Sequence, residues 1–224
     1  MEQFVRAHTR LVAVPYVPEI RLHLAAPGAA LTRAPTPGEP ERAEERDGPL
    51  YEIWERTGRL PFWAYAWPGG QALARHLLDN PGLVRGRTVL DVATGSGLVA
   101  VAAALAGAAT VVANDIDPHA LAAAGLNARA NGVEIGLTQG DLLDGAPSED
   151  VVLAGDVYYE KPLATRMTPF LARAPGVVLV GAPERSCSYL PAEVFEQVAV
   201  HDVPASLETS PTKRTTIWRY VTLM

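Results

Sequence analysis

One cysteine, Cys187, stands among 224 residues. A lone thiol excludes an intramolecular disulfide framework and a cysteine-based zinc cluster. The five histidines, His8, His23, His76, His119 and His201, are scattered without ligand spacing, so no metal site is expected. Lysine is almost missing: of 19 basic residues only Lys161 and Lys213 are lysines, and the heavy use of arginine and alanine reads as genomic base composition rather than a binding feature. No apolar run is long enough to cross a bilayer; the most apolar stretch, 98–106, is short and flanked by glycine. The first residues, MEQFVRAHTRLVAV, carry an early glutamate and arginines within the apolar stretch. That fits neither a secretory signal nor a transit peptide, and a cytoplasmic, reducing setting is expected. The net charge of −6 disfavours nucleic acid and anionic membrane as partners. Heptads, long exposed apolar stripes and internal repeats are also missing, which makes a monomer the default.

What remains is an ordinary globular composition, 48% hydrophobic and 20% charged. The length suits one domain with an elaborated end: an N-terminal extension over 1–60 and a main domain over 61–224. Residues 9–25 alternate enough for one or two strands around Pro15 and Pro18. The segment 33–49, RAPTPGEPERAEERDGP, is rich in proline and acid and has too little apolar surface to offset its ordering entropy, so it reads as a mobile loop. An aromatic strip, PFWAYAW, then precedes a helix expected over 71–78, after Pro68, Gly69 and Gly70 and before Asn80-Pro81. Beyond residue 87, strands near 88–92, 110–114, 134–138, 150–155 and 176–181 alternate with helices near 97–106, 117–130 and 160–173. TVLDV, VVLAG and VVLVG lack polar alternation, as strands of a parallel sheet covered on both faces do. EVFEQVAVHDV and KRTTIWRYVTL are joined by too few residues for a crossover helix and should form an antiparallel edge pair.

The chemistry gathers at the strand tips. RTVLDVATGSG is a strand ending in Asp91 followed by a turn with Gly95 and Gly97; TVVAND is the next strand, ending in Asp115. A strand, a glycine turn opening a helix and a second strand ending in acid form a nucleotide-binding βαβ unit. The glycines let a ligand approach the backbone directly. Asp91 could accept from the ammonium group of a methionine moiety; a dinucleotide offers no cation there, and its pyrophosphate would be repelled. Asp115 is placed to grip two ribose hydroxyls, with Ile116 beside it. Asp117, directly before Pro118, suits a helix cap better. Asp141, in TQGDLL, is either an acceptor for an adenine amino group or a turn residue. GDVYYE places Asp156 and Tyr159 on the same rim, Asp156 either touching substrate or capping the helix that follows. Trp63 and Trp67 are either core anchors or walls of the ligand site.

Taken together, PFWAYAWPGGQALARHLLDNP, VRGRTVLDVATGSG, VVANDIDPHALAAAGLNARANG and LAGDVYYEKPLA resemble the class I, seven-stranded methyltransferases and, more narrowly, the protein-lysine methyltransferases of methyltransferase family 16. The likeness covers about residues 60–185. It implies a Rossmann-like α/β fold with a seven-stranded, mostly parallel sheet, an antiparallel C-terminal edge hairpin and the N-terminal extension. It also implies S-adenosylmethionine as cofactor and a protein substrate such as the electron transfer flavoprotein beta subunit or another small cytosolic protein. On this resemblance Asp91, Ala93, Gly95 and Gly97 form the cofactor loop, Asp115 the ribose acid, and Trp67 a cofactor-pocket aromatic. Asp156 and Tyr159 match a D-x-x-Y signature beside the target lysine. Ala93 replaces the usual first glycine of the loop, so the turn is expected to avoid positive φ there. The competing expectations are a small-molecule methyltransferase and, with less support, an NAD-dependent oxidoreductase.

Overall fold

The chain opens with helix α1 (Glu2–His8) and the antiparallel hairpin β1 (Arg10–Val14) and β2 (Val17–Leu24). A short 3-10 turn, Phe62–Ala64, leads into α2 (Pro68–Asp79). Strand and helix then alternate as β3 (Thr88–Val92), α3 (Leu98–Leu105), β4 (Thr110–Asp115), α4 (Pro118–Ala130), β5 (Gly136–Gln139), β6 (Val151–Gly155), α5 (Lys161–Ala172) and β7 (Val177–Pro183). The pair β8 (Phe195–Pro204) and β9 (Thr212–Tyr220) follows. This computed structural model describes residues 1–25, 50, 61–184, 188–204 and 212–221. The segment 33–49, expected to be a loop, lies outside the described residues.

One seven-stranded sheet carries the domain, in the order β5-β4-β3-β6-β7-β9-β8. The first five strands of that order are parallel, and β9 runs antiparallel to both β7 and β8. The expected architecture is therefore present, with the antiparallel pair at one edge and β8 outermost. β3, β6 and β7 are buried along nearly their whole length, as uninterrupted apolar runs require when helices cover both faces. One face packs on α2, α3 and the N-terminal hairpin through Leu73, Leu77, Val99, Ile20 and Leu22. The other packs on α5 through Met167, Phe170 and Leu171. The hairpin thus shares the main core. It is tied to α4 by Asn127, whose Oδ1 accepts from His23 N at 2.7 Å and whose Nδ2 donates to Ser96 O at 2.7 Å.

Two helix starts show how the rim is built. Asp117 caps α4 as expected, its Oδ1 accepting from His119 N at 2.8 Å with Pro118 at the first helical position. α2 departs from expectation, beginning at Pro68 and not at residue 71. Glycine is a poor helix former, but the amides of Gly69 and Gly70 are bonded by a carboxylate from another strand, so a tertiary contact overrides propensity. Helix α1 has no counterpart in the sequence reading; it is short and buries only Val5.

Candidate functional site at the carboxyl rim of the sheet

Register places the acids side by side. Asp91 pairs with Ala113 of β4 and Leu153 of β6, so the tips of β3, β4 and β6 lie along one rim carrying Asp91, Asp115 and Asp156. Between the first two, the glycine turn is held from both sides. Thr94 Oγ1 and Ala100 N donate to Asp91 Oδ2, the latter at 3.1 Å. Gly95 N donates to Asp115 Oδ2 at 2.9 Å, and Asp117 N to Asp115 Oδ1 at 2.9 Å. Asp91 and Asp115 therefore face one shared turn.

The turn is left-handed at three residues: Ala93 (φ +55°), Gly95 (+53°) and Gly97 (+80°). Ala93 was expected to avoid positive φ and does not. The two clamped ends of the turn impose the conformation, and the alanine bears the steric cost of its Cβ. Gly97 is required for a second reason, since a Cβ there would lie 2.8 Å from Ala124 Cα in α4. It seats the loop against the helix, while Gly95 leaves the turn bare beside Trp63.

The electrostatics are one-sided. Asp91 is 1% exposed, and burial pushes its carboxyl up to about 7; the bonds from Thr94 and Ala100 oppose this, and the Asp115 charge adds to it. Burial raises Asp115 as well, against the backbone bonds from Asp117 and Gly95. Among the described residues neither acid has a cationic partner, and Asp91 Oδ1 takes no hydrogen bond. Two carboxylates, one of them buried, at the tips of adjacent parallel strands fit a ligand that brings its own positive charge and hydroxyl donors.

Asp156 has φ +58° and turns its carboxylate onto α2: Oδ1 accepts from Gly69 N at 3.0 Å and Oδ2 from Gly70 N at 2.7 Å. It does cap a helix, but a different one from the helix that follows, whose N-cap position belongs to Glu160. Tyr159 is 41% exposed, with its ring 5.5 Å from that of Phe62. Phe62 lies 5.7 Å from Trp67, whose indole Nε1 donates to Phe62 O at 2.9 Å. The two tryptophans differ in burial. Trp63 is a buried anchor stacked over His119, and Trp67 is half-buried at the rim. Phe62, Thr94 and the Gly69–Gly70 amides also stand at this rim, and the sequence does not mark them as candidates; only the density of aromatics in PFWAYAW hints at Phe62.

Asp141 lies at the tip of β5 with both oxygens engaged. Oδ1 accepts from Leu143 N at 3.0 Å, and Oδ2 meets Arg166 Nη1 at 2.7 Å, which holds its carboxyl below the ordinary range. Ile116 is half exposed beyond Asp115. Among the described residues no group of histidine, cysteine and acidic side chains could hold a metal ion, and no helix is long and apolar enough to cross a membrane.

Residues 73–156, from α2 through the tip of β6, match the ribosomal protein L11 methyltransferase family. Among solved structures, the ribosomal protein L11 methylase from Lactobacillus delbrueckii subsp. bulgaricus superposes with a TM-score of 0.52 at 22% identity, over 70% of this chain and 81% of that one. A magnesium protoporphyrin IX methyltransferase from Synechocystis PCC 6803 gives 0.54 at 15% identity, over 76% and 94%. At such identities the likeness is one of fold. The sequence relatives are nearer. The electron transfer flavoprotein beta subunit lysine methyltransferase of Rattus norvegicus is 42% identical over 142 residues, 59% of this chain and 56% of that protein. The Homo sapiens protein is 43% identical over 143 residues, 59% and 54%. The matched stretch thus spans little more than half the length of these mammalian relatives. The Xenopus laevis protein is 37% identical over 189 residues, 82% of this chain and 70% of that protein. With the rim residues falling inside this longer match and the fold agreeing, the chain belongs to the electron transfer flavoprotein beta subunit lysine methyltransferase family.

Proposed function

We propose that the protein methylates a lysine side chain of another protein using S-adenosylmethionine, with the electron transfer flavoprotein beta subunit the first substrate to test. The observation that carries this reading is Asp91, a buried carboxylate at the start of a glycine turn which, among the described residues, has no cation beside it and takes no hydrogen bond at Oδ1. It is matched in charge to the α-ammonium of the methionine moiety. Asp115 takes the ribose hydroxyls, and Ala93, Gly95 and Gly97 offer backbone alone to the ligand. Ile116 supplies an apolar face beside the adenine, and Trp67 a ring beside the donor. Asp141 serves the adenine amino group only if it shares its Oδ2 with Arg166.

S-adenosylmethionine supplies a methyl group on a positively charged sulfur. The acceptor nitrogen would release its proton to water and take the methyl group as sulfur leaves with its electron pair, while the rim residues hold the two partners in line. Little covalent help is needed, and positioning dominates. The larger demand is a neutral lysine: from a pKa of about 10.4, deprotonation at pH 7 costs about 4.6 kcal/mol. Phe62, Trp67 and Tyr159 remove water from the approaching side chain and so lower that pKa. Asp156, on the same rim as Tyr159, is the carboxylate that orients the incoming nitrogen.

Methyl-labelled cofactor incubated with the purified protein and the flavoprotein beta subunit, or with a size-fractionated extract, tests the reading. Label on lysine in a protein, with the matching increment in intact mass, is expected. Label confined to small metabolites, or binding of NAD in place of S-adenosylmethionine, refutes it. The reading also carries a monomeric, cytoplasmic enzyme, to be checked by sedimentation and by localising the tagged protein.

A further inference from the structure

Asp156 is tied to two parts of the fold at once. Its backbone N donates to Gly181 O at 2.9 Å, fixing it to the sheet between β6 and β7. Its side chain holds the first-turn amides of α2 at 3.0 and 2.7 Å. The space between them is closed by missing side chains. A Cβ on Gly69 would lie 2.6 Å from Asp156 Oδ2 and 2.3 Å from Gly181 O, and one on Gly155 would lie 3.0 Å from Gly70 N. The first turn of α2 can approach the sheet only along this glycine notch, and the carboxylate is what receives it. Trp67 directly precedes Pro68, the first residue of that turn, and its indole is bonded to Phe62 O. Phe62 in turn meets Tyr159, three residues beyond Asp156. Carboxylate, helix start and ring wall form a closed loop of contacts.

We propose that Asp156 is a positioning residue for the cofactor side of the site. Through the Gly69 and Gly70 amides it holds Trp67 and Phe62 at the rim, so that removing it weakens binding of the adenosine ligand as well as methyl transfer. This rests on the function proposed above, and the two fail in different ways. If Asp156 served only by touching the incoming amine, its loss would leave ligand affinity intact.

Calorimetry with S-adenosylhomocysteine on the full chain tests this. Asp156→Ala is expected to weaken binding about ten-fold, the scale of a lost helix cap. Asp156→Asn, which keeps one acceptor and tolerates the left-handed backbone, should fall between Asp156→Ala and wild type. Gly69→Ala leaves the carboxylate in place but blocks its approach, and should weaken binding as Asp156→Ala does. If Gly69→Ala does not fold, a cycle with Trp67→Phe still decides: the double variant should bind no more weakly than the worse single one, because Asp156 acts through Trp67. Asp156→Ala binding within two-fold of wild type while transfer is lost overturns the proposal, and so do independent, additive losses in the cycle. Failure of the wild type to bind at all overturns the methyltransferase reading instead.

Discussion

Asp91→Asn separates what the buried acid costs the fold from what it contributes to binding. Below the ordinary value of 3.8 the group is protonated in both native and unfolded chains and has no effect. Between there and about 7, the native value, the unfolded chain loses the proton while the native carboxyl keeps it, so stability falls as pH rises. Above about 7 both are ionised and the loss levels off. The separation of about three units corresponds to a full cost of about 4 kcal/mol, of which about 2–3 kcal/mol accrues between pH 5 and pH 8. Asparagine keeps an acceptor for Thr94 Oγ1 and Ala100 N but has no proton to lose, so this slope should vanish. Guanidinium unfolding of both proteins at pH 5 and pH 8 measures it. The variant should gain on the wild type by about 2–3 kcal/mol over that interval. In the same two proteins, calorimetry with S-adenosylhomocysteine should show the reverse preference. Wild-type affinity should rise by about ten-fold per pH unit toward 7 as Asp91 ionises. The variant should lose the part of this pH dependence that Asp91 supplies and bind more weakly by about 1.5–3 kcal/mol, the range for a charge-assisted hydrogen bond. Equal pH slopes of stability in the two proteins would refute the reasoning about burial. Wild-type binding that does not change between pH 5.5 and 7 would refute the pairing with an ammonium.

Three other substitutions probe the turn and its supports by chemical denaturation. Ala93→Gly should stabilise by about 1 kcal/mol, the left-handed penalty of alanine less the entropic cost of glycine; a loss of stability would show that the turn is not strained. Gly97→Ala places a methyl 2.8 Å from Ala124 Cα at φ +80° and should cost about 2–4 kcal/mol, with binding lost in parallel. Unchanged stability there would mean that α4 yields freely. Asn127→Ala strands the buried His23 N–H and Ser96 C=O and should cost about 2–4 kcal/mol. Because Ser96 belongs to the glycine turn, ligand affinity should drop too, and an effect on stability alone would show that the hairpin and turn are uncoupled.

The strands β3, β6 and β7 and most helices are legible in the sequence because they are apolar runs punctuated by glycine and proline, and the acids at strand tips follow from those boundaries. What was not legible depends on contacts distant in sequence. Pro68-Gly69-Gly70 reads as a break in any window, and becomes a helix start only when Asp156 reaches its amides. The sequence allows Asp156 as either a substrate contact or the cap of its own downstream helix, because it shows the next helix and not the one packed across the sheet. The positive φ at Ala93 arises from clamps at Asp91 and Asp115 acting together, and residue preference pointed the other way. The sequence leaves Asp141 open between adenine and turn because Arg166, its partner, lies on α5 and carries no local signal.

The insertion of β9 between β7 and β8 bears on biosynthesis. Of the nine strands described, β9 is the last in sequence, yet it occupies an interior lane of the sheet. While a ribosome is still making Thr212–Tyr220, the finished β7 presents an unpaired apolar edge and β8 has nothing to align with. Folding therefore reaches closure only after translation of that final lane, and the nascent chain passes through an interval in which a chaperone, or a neighbouring chain, can occupy it first.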